Sequence, residues 1–256
     1  MSQSSSKFLR LRKEITRAWA IGWKDIKVYY LSPPTLMFGV MFPFALFFTF
    51  TVGRNLTIAQ MMPVLFSQTV FWAASTVGPV VIPLERRTKT FDRYLSSPMS
   101  LSSVILGKSF AGVVFGLLVS IVPLIVGWVF FSLQIVDFLM FALGVLLSCM
   151  AFATMGIMFA SVPTESVGNI MMPMNFVRIP LLFISGIFIP IETLPFWGQI
   201  ASLFSPLTHT LILIRLGLGI STYPVDPIIS VVVLLFTTFI FFMISRQFHE
   251  INKRRE

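Results

Sequence analysis

The chain has 256 residues, 28 of them Phe, with 56% hydrophobic residues, 11% charged residues and a formal net charge of +9. Soluble globular domains carry charge on about a quarter of their residues, so this composition excludes a water-soluble enzyme or binding module. Apolar runs of about 20 residues recur, each long enough to cross a ~30 Å hydrocarbon core as a helix, and the fold class is an all-α polytopic membrane protein.

The first 30 residues form an element of their own. Phe8, Leu11, Ile15, Ala18, Trp19, Gly22, Ile26 and Tyr29 recur at three- and four-residue steps, while Arg10, Lys13, Arg17, Lys24 and Lys27 fall on the opposite face. That pattern predicts a basic amphipathic helix lying in the membrane interface over residues 1–32, closed by Ser32-Pro33-Pro34. No apolar core or cleavage site of a signal peptide precedes it, so the segment is expected in the mature protein.

Six spans are predicted beyond it, at 34–53, 61–83, 102–131, 136–160, 169–190 and 226–245. With an even count, sixteen of the 19 Lys and Arg residues fall on one side. The positive-inside rule makes that side cytoplasmic, with both termini there and the chain in the cell membrane. The charge is then a topology signal and an attraction to anionic lipid. Nucleic acid is excluded as a partner because no soluble basic-aromatic module is present.

Between spans two and three lies LERRTKTFDRYLSSPMS, residues 84–100. Leu84, Thr88, Phe91 and Leu95 stand at helical steps with Tyr94 beside them, which predicts a short amphipathic helix stopped at Pro98. A charged turn that only enforces topology needs no aromatic stripe, and Phe91 with Tyr94 suits a groove on a partner. Between spans five and six, the apolar pieces 195–204 and 207–218 are each too short to span and are separated by Pro206. They predict a re-entrant hairpin on the external side, within 192–219.

Catalytic motifs are missing. Gly107-Lys108-Ser109 copies the end of a phosphate-binding loop, but Ser102 stands where that pattern needs glycine, and the residues open a membrane helix. Lys108 is therefore read as a snorkelling anchor. Asp137 and Glu165 lie at span edges, and His209 and His249 lie outside the spans, so no catalytic or metal-ligating set is present. The single cysteine, Cys149, sits in an apolar run and reads as packing, as do Gly112 and Gly116. Arg178, the one charge well inside a span, either lines a pathway or bonds carbonyls freed by Pro173 or Pro180.

The 84–100 loop resembles the E-R-x-x-G-T-x-x-x-L-x-x-x-P-x-S signature of type-2 ATP-binding-cassette exporter permeases. Glu85, Arg86, Thr90, Pro98 and Ser100 match in register, Leu95 stands one position after the pattern's leucine, and Lys89 stands where the pattern has glycine. A second stretch, SGIFIPIETLPFWGQIASLFSPLTHTLILIR, is similar to the family's pattern at Ser185, Gly186, Pro190, Leu194, Pro195, Pro206, Leu207, Thr208 and Arg215. The resemblance covers nearly the whole chain. It implies a six-span transmembrane domain over 33–256 that dimerises with itself or a related half. It also implies a separate cytoplasmic ATPase subunit that holds ATP and magnesium, this chain having no cofactor and no enzymatic activity. The coupling helix at 85–100 would dock that subunit through Glu85, Arg86, Phe91, Arg93, Tyr94, Leu95 and Pro98. Arg178, Asn175 and Ser185 would line the pathway, and Pro190, Pro195, Pro206, His209 and Arg215 would form an external gate. The Phe- and Met-rich spans favour a lipophilic or amphipathic cargo; a polysaccharide or ion exporter, or a scaffold that transports nothing, are the alternatives.

Overall fold

The computed structural model describes residues 2–30, 33–51, 53, 57–96, 99–220 and 225–253. Among them the chain is helical throughout, with no strand. Helix α1 (Ser2–Asp25) runs into a π-helical turn (Ile26–Tyr30), followed by α2 (Pro33–Thr51), α3 (Ile58–Arg87), α4 (Thr90–Ser96) and α5 (Leu101–Phe131). Then come α6 (Phe138–Phe159), α7 (Val167–Ile184), a 3-10 turn (Ile191–Thr193), α8 (Phe196–Leu203), α9 (Pro206–Gly217) and α10 (Pro227–Lys253).

Helices α3, α5, α6, α7 and α10 are long and apolar enough to cross a membrane. Over the expected first span the chain forms α2, 19 residues long, with a described apolar stretch at Gly39–Thr49. Two expected ends shift for local reasons. Span five stops at Ile184, because Ser185 caps it and Gly186 turns left-handed at φ 83°. Span six continues to Lys253, extended past its apolar part by an Arg246–Glu250 pair at 3.0 Å and an Asn252 bond to the Ser161 carbonyl at 2.7 Å.

Helix α3 is the centre of the bundle and packs against α2, α4, α5, α6, α7 and α9. It crosses α6 where glycine lets the backbones meet: a Cβ on Gly156 would stand 2.3 Å from the Ser75 carbonyl oxygen. Gly112 and Gly116 of α5 face Ala74, Ala153 and Cys149 in the same way, inside one protomer. Phe66, Phe71 and Phe152 complete the buried layer around α3.

Turns at the two ends fix the geometry. At the basic end, Lys89 in the α3–α4 turn lies 3.7 Å from Glu165 in the α6–α7 turn. At the opposite end, Val136 and Asp137 donate to the Gly217 carbonyl at 2.9 and 3.0 Å. Helices α8 and α9 are bent by 77° to each other. Pro206 opens α9 at a position whose N–H would have no helical partner. From Thr210, 2.6 Å from Ser148 in the middle of α6, α9 climbs to Gly217, which packs on Phe141.

Candidate functional site

The stretch between α3 and α5 is fastened to the bundle by buried charge. Glu85, at the end of α3, is fully buried between two lysines and bonds both Lys24 of α1 and Lys108 of α5. Asp25 completes the knot, 2.8 Å from Lys24 and 3.1 Å from Lys108. Two ammonium groups thus face two carboxylates where α1, α3 and α5 meet, and burial is tolerable only because the charges cancel. Burial opposes the charge on Lys24, but its bonds to Asp25 and Glu85 outweigh that and raise its pKa. Burial, then the charge of Glu85, raises the pKa of the Tyr29 phenol.

Helix α4 closes over this knot. Tyr94 accepts a hydrogen bond from Lys24 at 3.0 Å, and the rings of Phe91 and Tyr94 lie 6.0 and 5.7 Å from the Lys108 ammonium. The Arg86 guanidinium sits over Phe91 at 4.8 Å, and the buried His249 ring of α10 lies 5.5 Å from it. Before α5, Glu14 accepts from the Ser100 N–H at 3.3 Å, from the Ser100 hydroxyl at 2.6 Å and from the Ser103 hydroxyl. Those bonds hold its pKa down at about 2 and place a carboxylate at the start of a helix.

Several expectations are corrected here. Lys108 does not snorkel: it is buried, because two carboxylates wait for it inside the bundle. Lys24, placed on the solvent face of α1, turns inward for the same reason, and Ile15 and Trp19 stay exposed. Phe91 is 1% exposed and belongs to the protein's own core, so it is no exposed anchor for a partner. Tyr94 is half-buried against Lys24. What α4 and the turn before it present outward is charge: Arg93 and Lys89 are exposed, and Asp92 is half-exposed. Leu95 lies within α4, and Pro98 lies outside the described residues. Beside this face is a polar hollow of about 520 Å³ lined by Arg86, Lys89, Asp92, Pro163, Thr164 and Glu165.

Lys89 adopts φ 57°, the left-handed conformation that glycine takes without strain. The departure from the glycine pattern therefore leaves the turn geometry intact and puts a side chain in it. Asp25 had escaped notice in the sequence. The available signal was that Glu14 and Asp25, eleven residues apart, fall within ~20° of each other around a helix, on the face that α5 covers.

Arg178 takes neither of its two expected places. It is fully buried and donates to Ser75 Oγ at 2.8 Å and Thr76 Oγ1 at 3.3 Å, with its guanidinium 5.0 Å from the Trp72 ring. Its partners are hydroxyls of α3, because Ser75 and Thr76 pass their own protons to the Phe71 and Trp72 carbonyls and so offer free lone pairs. Ser185 is buried too, bonded to the Leu182 carbonyl at 3.0 Å, and Asn175 is half-buried. In this conformation Arg178 and Ser185 line no open passage; the exposed face of α7 is Met172, Phe176, Val177, Ile179 and Phe183.

In the second motif stretch, Pro190 and Pro195 precede the 3-10 turn and α8, and Pro206 begins α9. His209 is buried and doubly bonded, to Ser230 of α10 at 3.0 Å and to the Leu203 carbonyl of α8 at 2.8 Å. Arg215, half-buried, accepts through its carbonyl from Ile220 N–H at 2.9 Å, which closes the end of α9.

Apolar helices around a central α3, with a basic helix and a charge-knotted turn at one end, define a multi-pass helical membrane protein. The model of the ABC-2 type transporter family matches residues 16–218, and the chain belongs to that family. A comparison with curated proteins finds no match to the chain.

Proposed function

We propose that the chain is the permease half of an ATP-driven exporter, with α4 and the polar hollow beside it forming the dock for a separate cytoplasmic ATPase. The basic end then faces the cytoplasm with both termini, and the α8–α9 pair is a re-entrant hairpin near the external exit. Two such halves, identical or related, meet through the exposed apolar face of α7 and move a lipophilic or amphipathic substrate outward.

The observation that carries this reading is the ion knot. A docking helix must hand its displacement to the spans, and Glu85 joins the end of α3, directly before α4, to α1 and α5 at once. ATP and magnesium belong to the partner in this reading. Lys108, the residue that would reach a phosphate, is already held by Glu85 and Asp25 inside α5. The exposed charges of α4, rather than its aromatic rings, make the dock.

The test is co-purification with an ATPase subunit expressed from a neighbouring gene. Arg93→Glu together with Asp92→Arg should reduce co-purification and the permease-stimulated hydrolysis rate at least about tenfold, the scale of several rim interactions removed at once. Membrane insertion should be unchanged. Full association and stimulation in that double variant would rule out α4 as the dock.

A further inference from the structure

Two crevices meet at Leu106 and Phe110 of α5. One, of about 440 Å³, lies between α1 and the start of α5 and carries Glu14, Trp19, Ser100, Ser102 and Ser103. The other, of about 500 Å³, is a cleft among α5, α6 and α10 walled by Leu146, Met150, Leu235 and Phe239. Each is the size of an ordinary ligand pocket, and together they form one groove, polar at the basic end and apolar beyond.

The groove has the dimensions of one leaflet. From Ser102 to Val113 it follows α5 for eleven residues, about 16 Å at 1.5 Å per residue, about half of a ~30 Å hydrocarbon core. Its deep wall is apolar in effect, because Thr154 and Thr238 give their hydroxyl protons to backbone carbonyls of their own helices, at 2.9 and 2.7 Å. One polar group in the wall is left over: Ser109 is 6% exposed, and its Oγ has no hydrogen-bond partner among the described residues.

The interfacial end selects the head. Glu14 is 22% exposed in its side chain; its Oε2 takes the bonds from Ser100 and Ser103, while Oε1 faces Arg17 at 3.2 Å. A carboxylate oxygen has room for a second donor beside Arg17. The acid-base pair complements a zwitterion, ammonium toward Glu14 and phosphate toward Arg17, whereas a purely anionic head would meet the carboxylate unpaired.

We infer that this groove binds one phospholipid of the surrounding bilayer with a primary-ammonium, ethanolamine-type head. The ammonium lies at Glu14, and one acyl chain runs among α5, α6 and α10. The site is separate from α4 and from the exposed face of α7, so it does not depend on the transport reading.

The experiment is native mass spectrometry of the full chain, delipidated in detergent and titrated with dioleoyl phosphatidylethanolamine, phosphatidylcholine or phosphatidylglycerol. The first ethanolamine lipid should bind about fivefold tighter than the other two, the scale of one partly exposed ion pair. Leu146→Trp, which fills the groove, should weaken that first site about tenfold, the scale of two methylenes kept from burial. Glu14→Gln should bring ethanolamine down to the choline level while leaving chain binding in place. Phe239→Ala, which removes a wall, serves as a second groove variant should Leu146→Trp fail to fold. Equal binding of the three heads, a preference for the glycerol head, or a first site indifferent to both groove variants would each overturn the inference.

Discussion

At the basic end, α1, α3 and α5 meet through two lysines and two carboxylates, whereas at the opposite end α8, α9 and α10 meet through one imidazole, a hydroxyl and a carbonyl. The two kinds of fastening fail differently. A neutral hydrogen bond contributes about 1 kcal/mol net and can reform with a neighbour or water. A buried charge whose partner is withdrawn is left in a low-dielectric interior, at a cost of about 3–5 kcal/mol. The basic end is thus built to move as one body, and the α8–α9 end to yield in parts.

The largest effect should come from Glu85→Ala, which leaves Lys24 and Lys108 sharing Asp25 alone. Unfolding free energy in detergent should fall by about 3–5 kcal/mol, and Glu85→Leu with Lys108→Leu should recover part of the loss. A single-variant loss under about 1 kcal/mol would mean the knot is hydrated, and the contrast between the ends would collapse. Phe91→Ala should cost a similar ~3–5 kcal/mol through the cavity it opens beneath α4. The same variant, if merely lacking a surface anchor, would unfold like the parent chain.

Much of this molecule was readable from its sequence, and the exceptions share a cause. Spans of apolar residues announce themselves because lipid imposes one length on each, and the helix-breaking Pro206 and the charged 84–100 turn stood out against them. What stayed hidden was direction. Lys24 and Lys108 carry charge, and hydropathy sends such residues outward or to the interface; Arg178, inside a span, was expected at a pathway or on carbonyls freed by Pro173 or Pro180. Each turns inward because a partner from a distant part of the chain waits there: Glu85 and Asp25 for the lysines, the Ser75 and Thr76 hydroxyls for the arginine. Phe91 was misplaced by the same reasoning in reverse, since an amphipathic seven-residue helix can lay its ring on a partner or on its own bundle. Periodicity reports that a face is apolar and is silent about what covers it.

Smaller effects test the neutral end. His209→Ala removes the bonds to Ser230 and Leu203 and should cost about 1–2 kcal/mol, read as faster amide exchange in α8 and α9 with α1 and α4 unchanged. Loss of protection throughout the chain would show that this end is no looser than the other. Glu14 supplies a pH-dependent counterpart at the basic end. Its carboxyl is held down at about 2 by the Ser100 and Ser103 hydroxyls. A folded pKa below the ordinary value adds stability that is present above about pH 4.5 and lost as pH falls toward 2. Glu14→Gln should flatten the acid arm of the unfolding curve over that window, and an unchanged arm would assign the acid sensitivity to other carboxylates.

The smallest effect concerns the backbone, where both ends carry one strained residue. Among the described residues, Lys89 at φ 57° and Ser132 at φ 49° are the non-glycine positions in the left-handed region. An L-residue there costs roughly 1–2 kcal/mol, and glycine avoids this while losing roughly 0.5–1 kcal/mol more chain entropy on folding. The net gain from glycine is therefore between about zero and about 1.5 kcal/mol at either position. At Lys89 it is mixed with the loss of two exposed ion pairs, to Asp92 at 3.9 Å and Glu165 at 3.7 Å, so the informative comparison is Lys89→Gly against Lys89→Ala. Both variants lose the lysine charge, and only glycine relieves the turn. Lys89→Gly should be the more stable of the two by a few tenths to about 1 kcal/mol, and Ser132→Gly should exceed Ser132→Ala by a like amount. Equal stability at 89 with a glycine advantage at 132 would mean that the ion knot, and not the left-handed turn, sets the path of the chain from α3 into α4.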